Sequence, residues 1–224
     1  MLRPGRDKGI ANPLPMGLAA FGTTTFLMGV AMVFRPAGVA PYVAQALMFG
    51  GLIEILAGMW GFAYGDPHAA TAFTFIGAFY GWWGLSQTAL FGAPLHGPAI
   101  ASTGMVFVVT GAVVFYLWVA SFYQFAAFNL TMLFFWIALI LGAVFRFTGV
   151  PVIEIIAGAS AIISGLIAAY ASFADLYNTA SLTEFVPVGE FEQVRERAER
   201  EELERIRRIH PVNQHYEQST PRQG

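Results

Sequence analysis

The sequence predicts an all-α membrane protein. Six transmembrane helices form three helix hairpins around a central pore, and a charged cytoplasmic C-terminal helix follows them. Three observations carry this reading. Of the 224 residues, 56% are hydrophobic and only 12% are charged, about half the charge of an ordinary soluble domain. Between Gly9 and Ala174 the charged side chains are Arg35, Glu54, Asp66, Arg146 and Glu154, and apolar runs of about 20 residues suffice to cross a bilayer. Finally, "LIEILAG" at residues 52–58 returns as "VIEIIAG" at residues 152–158, 100 positions later.

The six spans are expected at residues 14–34, 39–64, 69–91, 98–121, 122–145 and 150–174. The first follows "NPLP". Asn12 is a good N-cap and Pro13 fits the first helical position. Pro15 still lies in the first turn, where no amide bond is lost. Such a helix start also presents free N–H groups and a partial positive charge to an anion, which makes Asn12 a candidate substrate-binding residue. "RPAGVAP", "YGDPH" and "FGAPLHGP" separate the next spans with Gly and Pro. The boundary near Ser121 rests on "WVASFYQF", which lacks a strong breaker. His68 and His96 are read as loop residues. Tyr42, Trp60, Tyr64 and Trp118 stand near span ends, as interfacial belts require.

The repeat defines the hairpins. Its two copies fall in the second and sixth spans, which share a direction, so the unit holds an even number of helices. Half the offset lands at Gly104, early in the fourth span. Three hairpins of about fifty residues would put one helix of each at the centre. Gly77 with Gly81, and Ala157, Ala161, Gly165 and Ala169, recur every four residues and read as stripes for close helix approach.

Orientation follows from the basic residues. Arg3, Arg6 and Lys8 precede the first span, so the N-terminus is expected in the cytoplasm. Six crossings return the C-terminus to the same side. The chain divides into a cytoplasmic segment at 1–11, a membrane domain at 12–177 and a cytoplasmic tail at 178–224. A helix at about 190–209 is expected there, because Glu196–Arg200, Glu201–Arg205 and Glu204–Arg208 pair at i,i+4 with Glu first. The expected location is the cell membrane, multi-pass.

The absence of cysteine excludes disulfides and thiolate metal sites. No metal-ligand cluster, nucleophile constellation or phosphate loop stands in the sequence, which argues against an enzyme, a cofactor or a nucleic-acid partner.

Thr24 and Thr25 follow Phe21 by three and four residues and share its helix face. Threonines there bond back to the preceding turn or line a polar path. The stretch "NPLPMGLAAFGTTT" resembles the NPAPLGL signature of the acetate/succinate transporter family, whose yeast members are linked to acetate and ammonia transport. "GGLIEILAG", "ATAFTFIGAFY", "QFAAFNLTMLFF", "GASAIISG" and "FVPVGE" resemble family segments in the same order. The resemblance covers residues 11–190 and implies a homohexamer with one pore per subunit that passes small monocarboxylates. It also implies a constriction formed by Phe21, Ile76 and Leu130, with Ile76 standing where the family usually has Tyr.

Those three residues lie seven or eight positions into the first, third and fifth spans, or roughly 11 Å from one edge at 1.5 Å per residue. They are expected at one depth. A carboxylate stripped of water in an apolar ring costs several kcal/mol unless donors replace its shell. Thr24, Thr25 and Asn129 are the candidate donors. Either they help the anion through, or a proton travels with it. Glu54 and Glu154 are the candidates for proton coupling, since an acidic residue inside a span is expensive and often functional. Ionised and facing the pore, Glu54 would repel acetate; a structural role at a subunit contact or a headgroup is the alternative.

The leading functional expectation is a channel or transporter for acetate and similar short monocarboxylates, passive or proton-coupled, in contact with membrane lipids. A neutral-solute channel for urea, amides or ammonia is the second reading. A membrane scaffold or receptor signalling through the charged tail is the third.

Overall fold

The computed structural model describes residues 9–35, 38, 40–88, 98–181, 185–189, 200 and 203–204. Among them, six helices follow one another: α1 (Leu14–Phe34), α2 (Ala40–Tyr64), α3 (Pro67–Ser86), α4 (Pro98–Ala120), α5 (Ala126–Thr148) and α6 (Pro151–Ser181). Five are long and apolar enough to cross a membrane. The exception is α3, which has the length, at 20 residues, but carries His68, Thr71, Thr74 and Tyr80 and is more polar. It is also heavily buried, presenting Ala69, Ala70, Ala72, Phe73, Ile76, Gly77, Phe79 and Tyr80 to its neighbours.

Turn chemistry sets several boundaries where the sequence places them. Gly65 ends α2 in the left-handed region at φ 90°, and its N–H and that of Asp66 both reach the carbonyl of Gly61. Asp66 then caps α3: its side chain accepts from the Ala69 N–H at 2.9 Å, with Pro67 following. His68 therefore lies in the first turn of α3, not in a loop; its ring meets Phe128 edge-on at 5.2 Å. At α1 the backbone is already helical at Pro13 (φ −78°), and Asn12 Oδ1 accepts from the Leu14 N–H at 3.1 Å.

Three boundaries differ most from expectation: α3 ends at Ser86 rather than 91, and the other two follow. The fifth helix starts at Ala126 rather than 122. A single 3-10 turn (Ser121–Tyr123) and extended backbone at Gln124 and Phe125 separate α4 from α5. No Gly or Pro marks this corner; contacts from elsewhere hold it. The amides of Ala126 and Ala127, orphans of a helix start, donate to the carbonyls of Gly189 and Val188 at 2.6 and 3.1 Å. The segment 185–189 is itself held by Asn178, whose Oδ1 accepts from the Phe185 and Val186 amides. The last helix, α6, runs to Ser181, past the expected end, because Asn178 and Thr179 find backbone partners. Residues 1–8, His96 and most of the expected tail helix lie outside the described residues.

The helices pack as a ring in chain order. α1 contacts α2, α2 contacts α3, α4 contacts α5, α5 contacts α6, and α6 returns to α1 in the most extensive interface; α3 touches α4 lightly. Small residues make the closing interface. A Cβ on Gly22 would stand 2.9 Å from the Gly165 carbonyl, and one on Gly29 would stand 2.5 Å from the Gly158 carbonyl. The α6 stripe uses Ala157, Ala161, Gly165 and Ala168; Ala169, the stripe member expected from strict four-residue spacing, is exposed. The helix repeat of 3.6 residues drifts off a four-residue count, which explains the shift.

Because the atoms facing Gly29 are backbone, Gly29→Ala is expected to destabilise the fold by about 1–3 kcal/mol. Gly81→Ala, whose nearest new neighbour lies at 3.8 Å, is expected to be tolerated. Thermal unfolding in detergent checks both.

Candidate functional site

The ring of helices closes on aromatic side chains. Phe21 of α1 meets Phe135 of α5 edge-on at 5.0 Å between centroids, and Tyr80 of α3 at 6.4 Å; Tyr80 and Phe135 stand 6.0 Å apart. One side chain from each odd-numbered helix thus joins a single triangle. Ile76, one turn before Tyr80 on the same face of α3, is fully buried in the same core, as are Phe73, Phe128 and Met132.

On one side of this triangle lies a small, partly open cleft of about 20 Å³. Thr25, Met28, Phe79, Tyr80, Phe135 and Leu139 are among its walls. The lining is almost wholly apolar. Its polar element is a hydroxyl pair: Thr25 Oγ1 and Tyr80 Oη are 2.5 Å apart and one donates to the other. Such a pair keeps one O–H free to donate, together with unused lone pairs. It can therefore offer a hydrogen bond to a carboxyl oxygen in the cleft.

Next to the cleft, α1, α2 and α3 meet along a seam. Here α2 departs from α geometry: Ala46–Ile53 is π-helical and Glu54 follows directly. A Cβ on Gly50 would touch both Thr24 and Tyr80, so this face of α2 points at them. Glu54 is completely buried, and neither carboxyl oxygen has a hydrogen-bond partner; Thr24 Oγ1 is likewise buried and unpartnered.

The expected site residues separate into groups. Phe21, Ile76, Thr24, Thr25 and Glu54 converge near the cleft. Leu130 does not join them and is 43% exposed. Two facts explain this. It lies only four residues into α5, about 6 Å deep, whereas Phe21 lies seven into α1 and Phe135 nine into α5. It also sits roughly 200° around the helix from both Phe128 and Met132, the residues that do face the core. Asn129 is held elsewhere: its Nδ2 donates to Ser121 Oγ at 2.8 Å and to the Trp118 carbonyl at 3.4 Å, tying α5 to the corner. Asn12 donates to Asp175 Oδ2 at 2.8 Å, so a carboxylate from the chain itself already stands at the start of α1. Glu154 is paired with Arg35 across the α1–α6 interface, and its carboxylate is not free.

Known proteins agree with this architecture. The profile described as the GPR1/FUN34/yaaH family matches residues 1–192. The chain belongs to the GPR1/FUN34/yaaH family. Among its relatives, the succinate-acetate/proton symporter SatP of Escherichia coli K12 is 30% identical over 190 residues, covering 81% of this chain and 96% of SatP. Acetate permease A of Emericella nidulans is 40% identical over 88 residues, covering 35% of this chain but only 28% of its own length. The solved structure of the bacterial acetate channel SatP superposes with a TM-score of 0.74 at 24% identity, covering 80% of this chain and 99% of that one. This last match establishes the shared fold.

Within this GPR1/FUN34/yaaH fold, sequence reasoning passed over Tyr80, Phe135 and Asp175. The first two were findable. Tyr80 follows Ile76 by four residues and Phe135 follows Phe128 by seven, so each repeats a core-facing position. Asp175 stands near the end of the expected membrane domain, where a charge draws no notice.

The hydroxyl pair yields a prediction. Thr25→Val strands the buried Tyr80 hydroxyl and is expected to cost about 1–3 kcal/mol. Adding Tyr80→Phe should recover part of that loss. A double-mutant cycle by thermal unfolding checks the coupling.

Proposed function

We propose that the chain is a multi-pass cell-membrane transporter or channel for acetate and similar short monocarboxylates, and not an enzyme. The observation that carries this is family membership with SatP aligned over 96% of its length, together with an apolar cleft whose polar lining is one hydroxyl pair. Methyl and carboxyl ends of acetate ask for that combination: apolar walls and a few donors. Proton coupling fits the same walls. A bare carboxylate pays heavily in such a place, whereas the neutral acid does not.

In this reading each protomer of a homohexamer encloses its own path, three pseudo-repeated hairpins bring α1, α3 and α5 to the centre, and both termini face the cytoplasm. The constriction is the Phe21–Tyr80–Phe135 triangle with Ile76 beside it. Thr25 supplies the donor and Thr24 lines the seam. Asn12 and Asn129 act through architecture: one fastens the start of α1 to α6, the other fastens α5 to its corner. Leu130, exposed on the protomer, is assigned to a surface met by lipid or a neighbouring subunit.

Radiolabelled acetate uptake into proteoliposomes, with lactate, urea and ammonium as competitors, tests the reading. Acetate flux above protein-free vesicles is expected; competition by urea or ammonium but not by lactate would favour a neutral-solute channel instead. Phe135→Leu is expected to raise lactate uptake relative to acetate by on the order of tenfold, the scale of discrimination that a methylene-sized change in a pocket gives. Leu130→Ala is expected to leave that ratio unchanged. The opposite pattern would restore Leu130 to the constriction.

A further inference from the structure

We propose that Glu54 is the proton-binding group of this transporter, exchanging its proton with acetate in the cleft when water enters the seam between α1, α2 and α3. The proposal rests on the acetate-conduit reading and adds the residue that handles the proton.

The argument starts from placement. Glu54 is 0% exposed and both its oxygens lack partners. Native proteins rarely leave such atoms unsatisfied, and each case asks for an explanation. The purely structural explanations fail here. Glu154, its repeat counterpart, holds Arg35; Glu54 holds no cation. Nor does it cap a helix, since it continues directly from the π-helical segment into α-helix.

The groups around it are few. From α1 come Thr24 and Thr25, with no charge; the one charged side chain of the α1 terminus, Arg35, is engaged by Glu154. From α3 comes Tyr80, which, like Thr24, would meet a Cβ placed on Gly50, one turn before Glu54. The other titratable groups at that helix, Asp66 and His68, lie at its opposite end, where Asp66 caps the helix. With no cation and no donor, an ionised carboxylate in the closed seam would cost several kcal/mol more than the acid. Ionisation therefore waits until water or a substrate oxygen reaches the seam. That condition couples the proton to cargo.

The π-helical segment supplies the means. Its wider turn sits immediately before Glu54, and such turns concentrate at functional sites because their backbone bonds are easily rearranged. The chemistry balances simply. When water enters the seam, the O–H bond of protonated Glu54 breaks and the proton passes over that water to acetate in the cleft. An O–H bond forms on acetate, and neutral acetic acid crosses the aromatic triangle. Glu54, left as carboxylate, takes its next proton from water at the membrane face.

The experiment uses the full chain in proteoliposomes. Wild-type acetate uptake, corrected for protein-free vesicles, should rise as the medium is acidified, by up to about tenfold per pH unit for a one-proton step. Glu54→Gln should lose that rise. Glu54→Asp, which keeps a carboxyl, should restore a rise with a displaced midpoint. A wild-type pH profile in Glu54→Gln would overturn the proposal while leaving the conduit intact; no acetate flux in wild type would overturn the conduit itself. Should Glu54→Gln fail to fold, Glu54→Asp decides: an unaltered pH profile there overturns the proposal. Replacing sodium by choline should change nothing, and a sodium requirement in place of the acid dependence would assign the site to that cation.

Discussion

The contact on which this molecule depends is the backbone approach of α1 to α6. Gly22 and Gly29 on one helix face Gly158 and Gly165 on the other, with carbonyl oxygens where side chains would otherwise stand. Helices in lipid gain little from hydrophobic burial and associate through close packing of small residues. This approach therefore closes the ring. Once it is closed, Phe21 points inward, and the aromatic rings of three odd-numbered helices meet. Arg35 and Glu154 clasp the same interface at one end; Ser172, donating to the Pro15 carbonyl at 2.6 Å, and Asn12, donating to Asp175, clasp it at the other. The centre exists because the seam outside it is tight.

Polar groups divide accordingly. Most of those inside the helices satisfy themselves locally: Thr131 with the Ala127 carbonyl, Ser160 with that of Ile156, Ser121 with that of Trp118. Others tie neighbouring helices, as Ser164 does with the Thr131 carbonyl. Among the described residues the exceptions are Thr24, Thr74 and Glu54 on α1, α3 and α2, together with His68 at the start of α3 and Trp118 on α4. A bundle built for stability alone would have filled these positions with apolar side chains or paired them. The placement of Thr24 and Glu54 beside the cleft, and beside the π-helical segment, is what separates a path from a packed core.

How much of this was legible in the sequence follows from which physics each feature uses. Helix number was readable because hydropathy is local, while the start of α3 was placed two residues late, at 69, because "YGDPH" was read as a break and not as a cap. The stripe on α6 was readable too, one residue off at Ala169, because its spacing is a property of the helix. Depth was readable only where a boundary was. The corner at Ser121–Tyr123 carries no breaker and is held by carbonyls from residues 188 and 189, far away in the chain. Placing the fifth helix four residues early carried Leu130 to the wrong depth, and nothing in a linear count gives its azimuth. Phe135 and Tyr80 occupy the inward face because α4, α6 and α2 claim the others. That is tertiary information. Of the three residues expected at one depth, Phe21 and Ile76 are fully buried and Leu130 is exposed.

The exchange of Ile for an aromatic at position 76 acquires a meaning in this geometry. Ile76 is aliphatic and offers no donor, while Tyr80, one turn further along the same face, has one. The hydroxyl is thereby displaced about 6 Å along the α3 axis, from the level of Ile76 to the wall of the cleft. There it meets Thr25. In the proposed path, the level of Ile76 is left without a donor, and an apolar passage of that kind favours the uncharged acid over the carboxylate. Fixing Tyr80 to Thr25 also settles which ring must yield. Phe21 and Phe135 have only van der Waals partners, whereas Tyr80 is tethered by its hydroxyl. Opening therefore falls to the two phenylalanines, and the donor stays in place while they move.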